Sequence, residues 1–158
     1  MSASETPELE LRPATLDDLD AIWAIEHSVF TTEAWSRDMM AEELAAEHRS
    51  YLALVAPDGT VRGYGGLLMV GTEGDIQTIA VAPEARGIGA GRRIMVTLIA
   101  EARESGVREI FLEVRADNPV AQGLYASLGF AEIGIRPRYY QPDSVDAVVM
   151  KLDVKDPA

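Results

Sequence analysis

The sequence predicts a single α/β domain with a mixed sheet that is mostly antiparallel, contains one parallel pair of strands and is flanked by about four helices. Two observations lead to this prediction. Before residue 82, short apolar runs follow one another across turn residues, which is typical of antiparallel strands. After it, two apolar stripes with helical spacing alternate with further short apolar runs. The 158 residues are enough for about one ordinary domain.

The N-terminal third is predicted to contain one strand and two helices. Residues 9–13 alternate like a strand, and Thr15 and Asp18 have the spacing of a capping box at the start of a helix. Its apolar stripe is Leu19, Ile22, Trp23, Ile25, Val29 and Phe30. Ser36 is expected to cap a second helix that reaches about Ala46. Its buried residues are predicted to be Met39, Met40 and Leu44.

Three antiparallel strands are predicted to follow. Residues 51–56 and 61–70 are apolar runs joined by Pro57-Asp58-Gly59-Thr60, whose composition suits a tight turn. A second turn at 71–74 leads to a strand at 76–81. The three strands therefore form a meander.

The second half is predicted to contain a strand-helix-strand unit, a further helix and a hairpin. The first helix follows a glycine-rich loop and ends at Gly106, and the strand after it, 108–114, should lie parallel to the strand before it. Its buried stripe is predicted to be Ile94, Met95, Leu98, Ile99 and Ala102. Asn118-Pro119 begins the next helix. Its inward residues are predicted to be Val120, Ala121, Leu124, Tyr125 and Leu128, and 131–136 with 147–152 the final hairpin.

Composition excludes several classes of protein. Without cysteine there is no disulfide, thiolate metal site or acyl-cysteine intermediate. The two histidines, His27 and His48, have no further ligand set nearby, so no metal is expected. We expect flexible tails at 1–8 and 155–158 around a domain at 9–154. Because the start lacks the features of a secretion signal and no apolar run approaches the ~20 residues of a membrane span, we expect a cytoplasmic protein without membrane contact.

The charge of the chain is strongly acidic. The formal net charge of −12 disfavours direct binding of nucleic acid, which needs clustered lysine and arginine. Twelve acidic residues and three arginines stand in the first fifty positions. They form either a solvated surface that promotes solubility or a face that attracts a basic peptide.

The segment Arg86-Gly87-Ile88-Gly89-Ala90-Gly91 follows a predicted strand and opens a predicted helix. Glycines let the backbone approach an anion, and the helix start supplies free N–H groups. Because Arg92 and Arg93 add positive charge, the segment predicts a diphosphate site. The alternative is a plain glycine-rich connection. A dinucleotide fingerprint needs glycine where Arg92 stands, and no Gly-Lys-Ser/Thr follows as a Walker loop requires.

The motif Arg86-x-x-Gly89-x-Gly91 resembles the Q/R-x-x-G-x-G/A pyrophosphate-binding motif of GNAT acetyltransferases, and the resemblance extends over residues 9–152. Within that superfamily the chain is most similar to the bacterial ribosomal-protein-alanine N-acetyltransferases. Four segments carry this likeness: Ala34-Trp35-Ser36, residues 112–118, residues 124–130 and residues 136–140. The chain departs from the pattern where Thr32-Glu33-Ala34 lacks a proline beside the tryptophan and where Pro137 interrupts an arginine run.

The resemblance implies the GNAT fold and direct transfer of acetyl from acetyl-CoA, as co-substrate, to an N-terminal alanine of a small-subunit ribosomal protein. It assigns acetyl-CoA to Ile79, Ala80, Val81, Arg86, Gly87, Ile88, Gly89, Ala90, Gly91, Arg92 and Asn118. It assigns the acceptor to Trp35, Tyr139 and Tyr140, which we expect on loops beside the acceptor channel. The partner would be the N-terminal peptide of a basic protein, and the enzyme a monomer or a weak dimer.

The resemblance also implies that Glu113 is the general base and Tyr125 the general acid. The reaction needs both, because an ammonium must lose a proton and the departing thiolate must gain one. A glutamate in water is a weak base, yet an α-amine of pKa ~7.8 is already neutral in about one molecule in seven at pH 7. Taken alone, Glu113 also fits a solvent-side strand residue and Tyr125 a core aromatic.

Two other functions remain open at this point. A GNAT enzyme for a small amine or amino acid would share the cofactor motif without needing the recognition segments. A non-catalytic acyl-CoA sensor or interaction module would bind the cofactor without using Glu113 and Tyr125.

Overall fold

The structure, a computed structural model, describes residues 9–29, 36–82, 89–141 and 143–154. Seven strands in these ranges form one sheet: β1 Glu10–Pro13, β2 Arg49–Val55, β3 Val61–Val70, β4 Glu73–Val81, β5 Glu109–Arg115, β6 Ala131–Tyr140 and β7 Val145–Asp153. Four α-helices cover it: α1 Leu19–Val29, α2 Arg37–Ala45, α3 Ala90–Glu104 and α4 Pro119–Ser127. No described helix is long and apolar enough to cross a membrane. Both predicted tails lie outside the described residues.

The sheet has the strand order β1-β2-β3-β4-β5-β7-β6. Every neighbouring pair is antiparallel except β4 and β5, which confirms the predicted mixed sheet with one parallel pair. β7 lies between β5 and β6. In the last hairpin, the second strand therefore pairs with β5, and the first strand, β6, forms the edge of the sheet.

Local capping chemistry begins the first two helices. Thr15 and Asp18 form the predicted capping box, although the chain first makes a 3-10 turn, Leu16–Asp18, that continues into α1. Both oxygens of Asp18 accept hydrogen bonds from Arg12, at 2.8 and 2.9 Å. Ser36 caps α2 as predicted, because its Oγ accepts from the Met39 backbone N–H at 3.1 Å. One prediction for α2 is wrong: Met39 is exposed, and Met40 alone turns its side chain fully into the core.

Two apolar cores lie on opposite faces of the sheet. The face under α3 and α4 contains all five residues predicted for the α3 stripe, each of them buried: Ile94, Met95, Leu98, Ile99 and Ala102. The face under α1 and α2 is packed by Leu19, Ile22, Ile25, Met40, Tyr51, Tyr64 and Ala80. The prediction for Val120 is wrong, since it is 84% exposed. It lies 100° around α4 from Ala121, on the edge that turns away from the sheet.

The parallel pairing of β4 and β5 is short, and the cleft lies where it ends. It consists of Glu73 with Glu109, Gly74 with Ile110 and Asp75 with Phe111. Beyond Asp75, no residue of β5 in the described ranges pairs with β4. Gln77 is an extra residue in the β3–β4 ladder at this point, and such a bulge bends its strand. The two strands therefore separate, and a cleft opens through the sheet.

Candidate functional site

A cleft of about 410 Å³ occupies the gap between β4 and β5. Six of the residues that the sequence singled out line it: Ile79, Glu113, Asn118, Tyr125, Tyr139 and Tyr140. They come from two strands, a helix cap, a helix and the end of an edge strand. The fold thus brings together residues that lie as much as 61 positions apart in sequence, from Ile79 to Tyr140.

Glu113 reaches the cleft from the face covered by α1 and α2. Its neighbours on β5, Leu112 and Val114, are buried on the opposite face, so the alternation of the strand turns Glu113 away from them. Its Oε2 lies 2.8 Å from Nε of Arg136 and forms an ion pair. That contact lacks the alignment of a hydrogen bond, and Oε2 accepts none from the described residues although the atom is buried. This oxygen of the carboxylate can therefore still accept a hydrogen bond from a donor in the cleft.

Tyr125 reaches the cleft from the other face. It lies on α4 among the buried residues of the α3–α4 core, with its ring edge-to-face against Phe130 at 6.1 Å between centroids. Burial raises the pKa of its phenol to about 12. The hydroxyl therefore stays protonated at physiological pH. A carboxylate and a protonated phenol meet the cleft from opposite sides of one sheet.

The start of α3 offers backbone donors on the Tyr125 face. Gly89 occupies the N-cap with a left-handed φ of 79° and supplies no side-chain cap. The N–H groups of the first helical turn have no acceptor within the helix, and such a terminus suits an anion. Arg92 is exposed beside it, and its Nη2 donates to Ser127 Oγ at 2.7 Å. Arg93 donates to the backbone carbonyl of Leu9, so this arginine ties α3 to the residue that precedes β1.

The remaining residues assigned to the diphosphate site, Arg86, Gly87 and Ile88, lie outside the described residues. Ala90 and Gly91 begin α3 as expected, and Ala90 is buried against the sheet. Asn118 caps α4 as predicted, since its Oδ1 accepts from the Ala121 N–H at 3.1 Å. It lines the cleft at the same time.

Tyr139 and Tyr140 lie at the end of β6, so their expected placement on a loop is wrong. The strand continues past Pro137 because two extra residues are accommodated in a bulge between Arg136 and Tyr140. Arg138 adopts a left-handed φ of 52° there, and its N–H donates to Asp146 Oδ1 at 2.8 Å. Trp35 lies outside the described residues.

The two tyrosine rings stand edge-to-face at 5.1 Å, each beside an arginine. The guanidinium of Arg115 lies 5.2 Å from the Tyr140 ring centre, and that of Arg136 lies 5.6 Å from the Tyr139 ring centre. Cation–π contacts at this distance hold both rings in place. They form one wall of the cleft on the Glu113 face.

Comparison with known proteins identifies the fold and the chemistry. The sequence profile of the acetyltransferase (GNAT) family matches residues 17–130. The chain belongs to the GNAT acetyltransferase family. The protein is thus an N-acetyltransferase, as the glycine-rich motif and the element order predicted.

This acetyltransferase is similar to several named proteins over nearly its whole length. It is 34% identical to the N-alpha-acetyltransferase RimI of Mycobacterium tuberculosis, covering 98% of this chain and 99% of the relative. It is 32% identical to the [ribosomal protein bS18]-alanine N-acetyltransferase of Escherichia coli K12, covering 87% and 92%. The crystal structure of the Escherichia coli ribosomal-protein-S18-alanine N-acetyltransferase superposes with a TM-score of 0.84 at 31% identity, over 96% of this chain and 97% of the other.

Sequence analysis of this acetyltransferase missed several polar residues that line the cleft, among them Glu26 and Gln77. Glu26 lies on α1 and is only 2% exposed. A signal was present, because Glu26 follows Ile22 by four positions and therefore falls within the apolar stripe of α1. Gln77 is the bulged residue of β4, and its Oε1 accepts from the Tyr51 hydroxyl at 3.0 Å. No local pattern predicts a bulge there.

Proposed function

We propose that this acetyltransferase transfers the acetyl group of acetyl-CoA directly to an N-terminal α-amine, that of the N-terminal alanine of a small-subunit ribosomal protein. One observation carries the proposal: a single cleft through the sheet receives the Glu113 carboxylate from one face and the buried Tyr125 hydroxyl from the other. Relatives named as ribosomal-protein-alanine N-acetyltransferases support the choice of acceptor.

The donor side of the cleft fits acetyl-CoA, which supplies an activated acyl group and a thiol leaving group. Beyond Asp75, β4 is not paired with any described residue of β5. On that side of β4, the backbone of Ile79, Ala80 and Val81 can pair with an extended chain that contains amide groups. The start of α3 suits its diphosphate. We assign that site to Gly89, Ala90, Gly91 and Arg92, with Arg86, Gly87 and Ile88, which precede them in the sequence. Asn118 borders the same opening.

Glu113 is proposed to take the proton from the acceptor's α-ammonium. Its buried Oε2 lies in the cleft with acceptor capacity left over from the ion pair with Arg136. An α-amine of pKa ~7.8 needs only a modest base near neutral pH, whereas a lysine amine of pKa ~10.4 is neutral in only about one molecule in 2,500. This difference favours an N-terminal amine as the acceptor.

Tyr125 is proposed to hold the proton that the departing thiolate needs. With the pKa of Tyr125 at about 12, proton transfer to a thiolate of ordinary pKa ~8.5 is uphill by about 5 kcal/mol, compared with about 2 kcal/mol for an unburied phenol. The same burial raises the pKa of a thiol in the cleft, which narrows this gap. The phenol therefore keeps its proton until the thiolate forms, because burial disfavours its ionised form.

Tyr139 and Tyr140 are proposed to contact the acceptor peptide, together with Trp35. They wall the cleft on the Glu113 face, opposite the start of α3. A net charge of −12 favours a basic peptide over nucleic acid as the partner. A ribosomal substrate places the reaction in the cytoplasm.

The test is turnover of acetyl-CoA with peptides that begin with Ala, Ser or Met, with the same Ala peptide blocked, and with polyamines and free amino acids. We expect transfer to the unblocked Ala peptide only. Glu113→Gln and Tyr125→Phe should each lower kcat by about 10²- to 10⁴-fold. Glu109→Gln is the matched control, because Glu109 lies on the same face of β5, outside the cleft, and pairs with Lys151 at 2.6 Å.

Two results would redirect the proposal. Turnover of small amines alone would make the protein a GNAT enzyme for a small amine or amino acid. Binding of acetyl-CoA without transfer to any amine would make it a sensor or interaction module, and Glu113→Gln would then leave its function unchanged.

A further inference from the structure

Gln77 has an amide side chain in the cleft that the acetyl-transfer steps above do not use. It is the extra residue in the β3–β4 ladder, and it lies just beyond Asp75, where the pairing of β4 with β5 ends. A bulge of this kind redirects a side chain and is common next to active sites. Gln77 therefore borders the cleft at the point where the two strands separate.

Tyr51 on β2 holds the oxygen end of this amide. Its hydroxyl donates to Gln77 Oε1 at 3.0 Å, and its ring lies over Gly66, its partner residue on β3. A side chain at Gly66 would clash with the ring, so glycine at this position allows the ring to reach across to β4. Burial raises the pKa of the Tyr51 phenol, so the hydroxyl keeps the proton that it donates.

The nitrogen end of the amide remains for a ligand. A glutamine side chain has two N–H donors on Nε2 and an acceptor at Oε1. Oε1 is bound by Tyr51, and no group in the described ranges accepts a hydrogen bond from Nε2. The free donors fit an oxygen acceptor such as a carbonyl. They do not fit an ammonium group, which is itself a donor.

Gln77 lies on the acceptor side of the sheet. Its partner Tyr51 belongs to the core under α1 and α2, which is the face from which Glu113 reaches the cleft. Tyr125 and the start of α3 lie on the opposite face. In a peptide, two bonds of about 1.5 Å separate the α-nitrogen from the carbon of the first carbonyl. A peptide with its amine at Glu113 therefore brings that carbonyl into the same part of the cleft.

We propose that the amide N–H of Gln77 donates a hydrogen bond to the first backbone carbonyl of the acceptor peptide, and so distinguishes a peptide from a simple amine. This inference rests on the proposed function and names one part of its acceptor site. The ligand class is a peptide N terminus with an intact first carbonyl. Gln77 forms and breaks no covalent bond.

The experiment compares two acceptors that have the same free amine: a peptide that begins with Ala, and its analogue in which an (E)-alkene replaces the first peptide bond. The alkene keeps the shape of the bond but has no carbonyl oxygen. We would measure kcat/KM for both acceptors, at saturating acetyl-CoA, in the wild type and in Gln77→Met. Methionine is unbranched like glutamine but has no N–H donor.

The measured quantity is the ratio of kcat/KM for the peptide to kcat/KM for the alkene. We expect this ratio to be about 5- to 150-fold lower in Gln77→Met than in the wild type, the range for a polar group left without its hydrogen-bond partner. Other differences between the two acceptors, such as the pKa of the amine, affect both enzymes alike and cancel in the comparison.

Two further variants separate the hydrogen bond from folding. Gln77→Glu keeps an acceptor for the Tyr51 hydroxyl but has no N–H, so it should lower the ratio as Gln77→Met does. Gln122→Met makes the same chemical change on α4, outside the described lining of the cleft, where Gln122 donates to the carbonyls of Arg115 and Ala116. It should keep the wild-type ratio. Thermal denaturation of each variant reports its folding independently of the acceptors.

An unchanged ratio in Gln77→Met and Gln77→Glu would overturn the inference, as would an equal fall in Gln122→Met. Slower transfer to both acceptors at an unchanged ratio would also overturn it, because the amide would then act on the acetyl carbonyl. If the wild type still acetylates the Ala peptide in these cases, the inference fails alone and the proposed function stands. If the wild type acetylates no peptide, both fail.

Discussion

Raising the pH tests whether Tyr125 serves as a protonated donor. An ordinary phenol of pKa ~10 is half ionised at pH 10, whereas a phenol of pKa about 12 is ionised there to about 1%. If Tyr125 supplies the proton, it remains protonated up to pH 10. Its ionisation should therefore not lower kcat in this pH range. Any decline below that pH must come from another group.

The assay is kcat at saturating acetyl-CoA and Ala peptide from pH 6.5 to 10.5, for the wild type and for Tyr125→Phe. We expect the variant to be slower by about 10²- to 10⁴-fold at every pH, with a profile of the same shape. A wild-type decline centred near pH 10 that is absent from Tyr125→Phe would refute the reasoning, because it would show a phenol with an ordinary pKa.

Folding must be monitored in the same experiment. Burial raises the pKa of Tyr51, Tyr64 and Tyr125, so each neutral phenol favours the folded state. That contribution is fully present below pH ~10 and is lost as the pH rises through the folded-state pKa values. Circular dichroism at each pH therefore separates unfolding from loss of catalysis.

Two stability predictions follow from close contacts. A Cβ at Gly66 would lie 2.3 Å from the Tyr51 ring, so Gly66→Ala should cost about 1 to 3 kcal/mol of unfolding free energy as the ring shifts; Gly123→Ala, in open space on α4, should stabilise by about 0.5 to 1 kcal/mol, and equal effects in urea unfolding would contradict the clash. Arg12 and the Thr15 N–H hold the pKa of Asp18 below its usual value, so Asp18→Ala should cost about 1.5 to 3 kcal/mol at pH 7. Because the folded-state pKa is lowered, this difference should shrink as the pH falls below about 4, and a constant difference would show that the charge is irrelevant.

Local chemistry explains what the sequence could predict. The Ser36 and Asn118 caps depend on contacts within three residues, and the α3 stripe depends only on helical spacing. The strand-helix-strand unit predicted the parallel pair because its crossover allows little else. The roles of Glu113 and Tyr125 stay predictions, although the fold places both at one cleft.

The features that could not be predicted depend on contacts distant in sequence. The burial of Glu26 is supported by hydroxyls 38 and 52 positions away. The extension of β6 to Tyr140 depends on Asp146 accepting the N–H of Arg138, a residue with a positive φ that nothing in its neighbourhood signals. The hairpin alone also does not determine whether β6 or β7 pairs with β5, and in the structure it is β7.

The short β4–β5 ladder also means that a bound co-substrate can stabilise the folded enzyme. Three residue pairs are the only rungs within the described ranges that join the half-sheet β1–β4 to the half-sheet β5–β7. A co-substrate bound along β4 would add contacts between these two parts of the sheet. Since such a ligand binds only the folded chain, it would add about 2.7 kcal/mol at a concentration one hundred times its Kd. The concentration of the acetyl donor in the cell would then affect the stability of the folded enzyme as well as its rate.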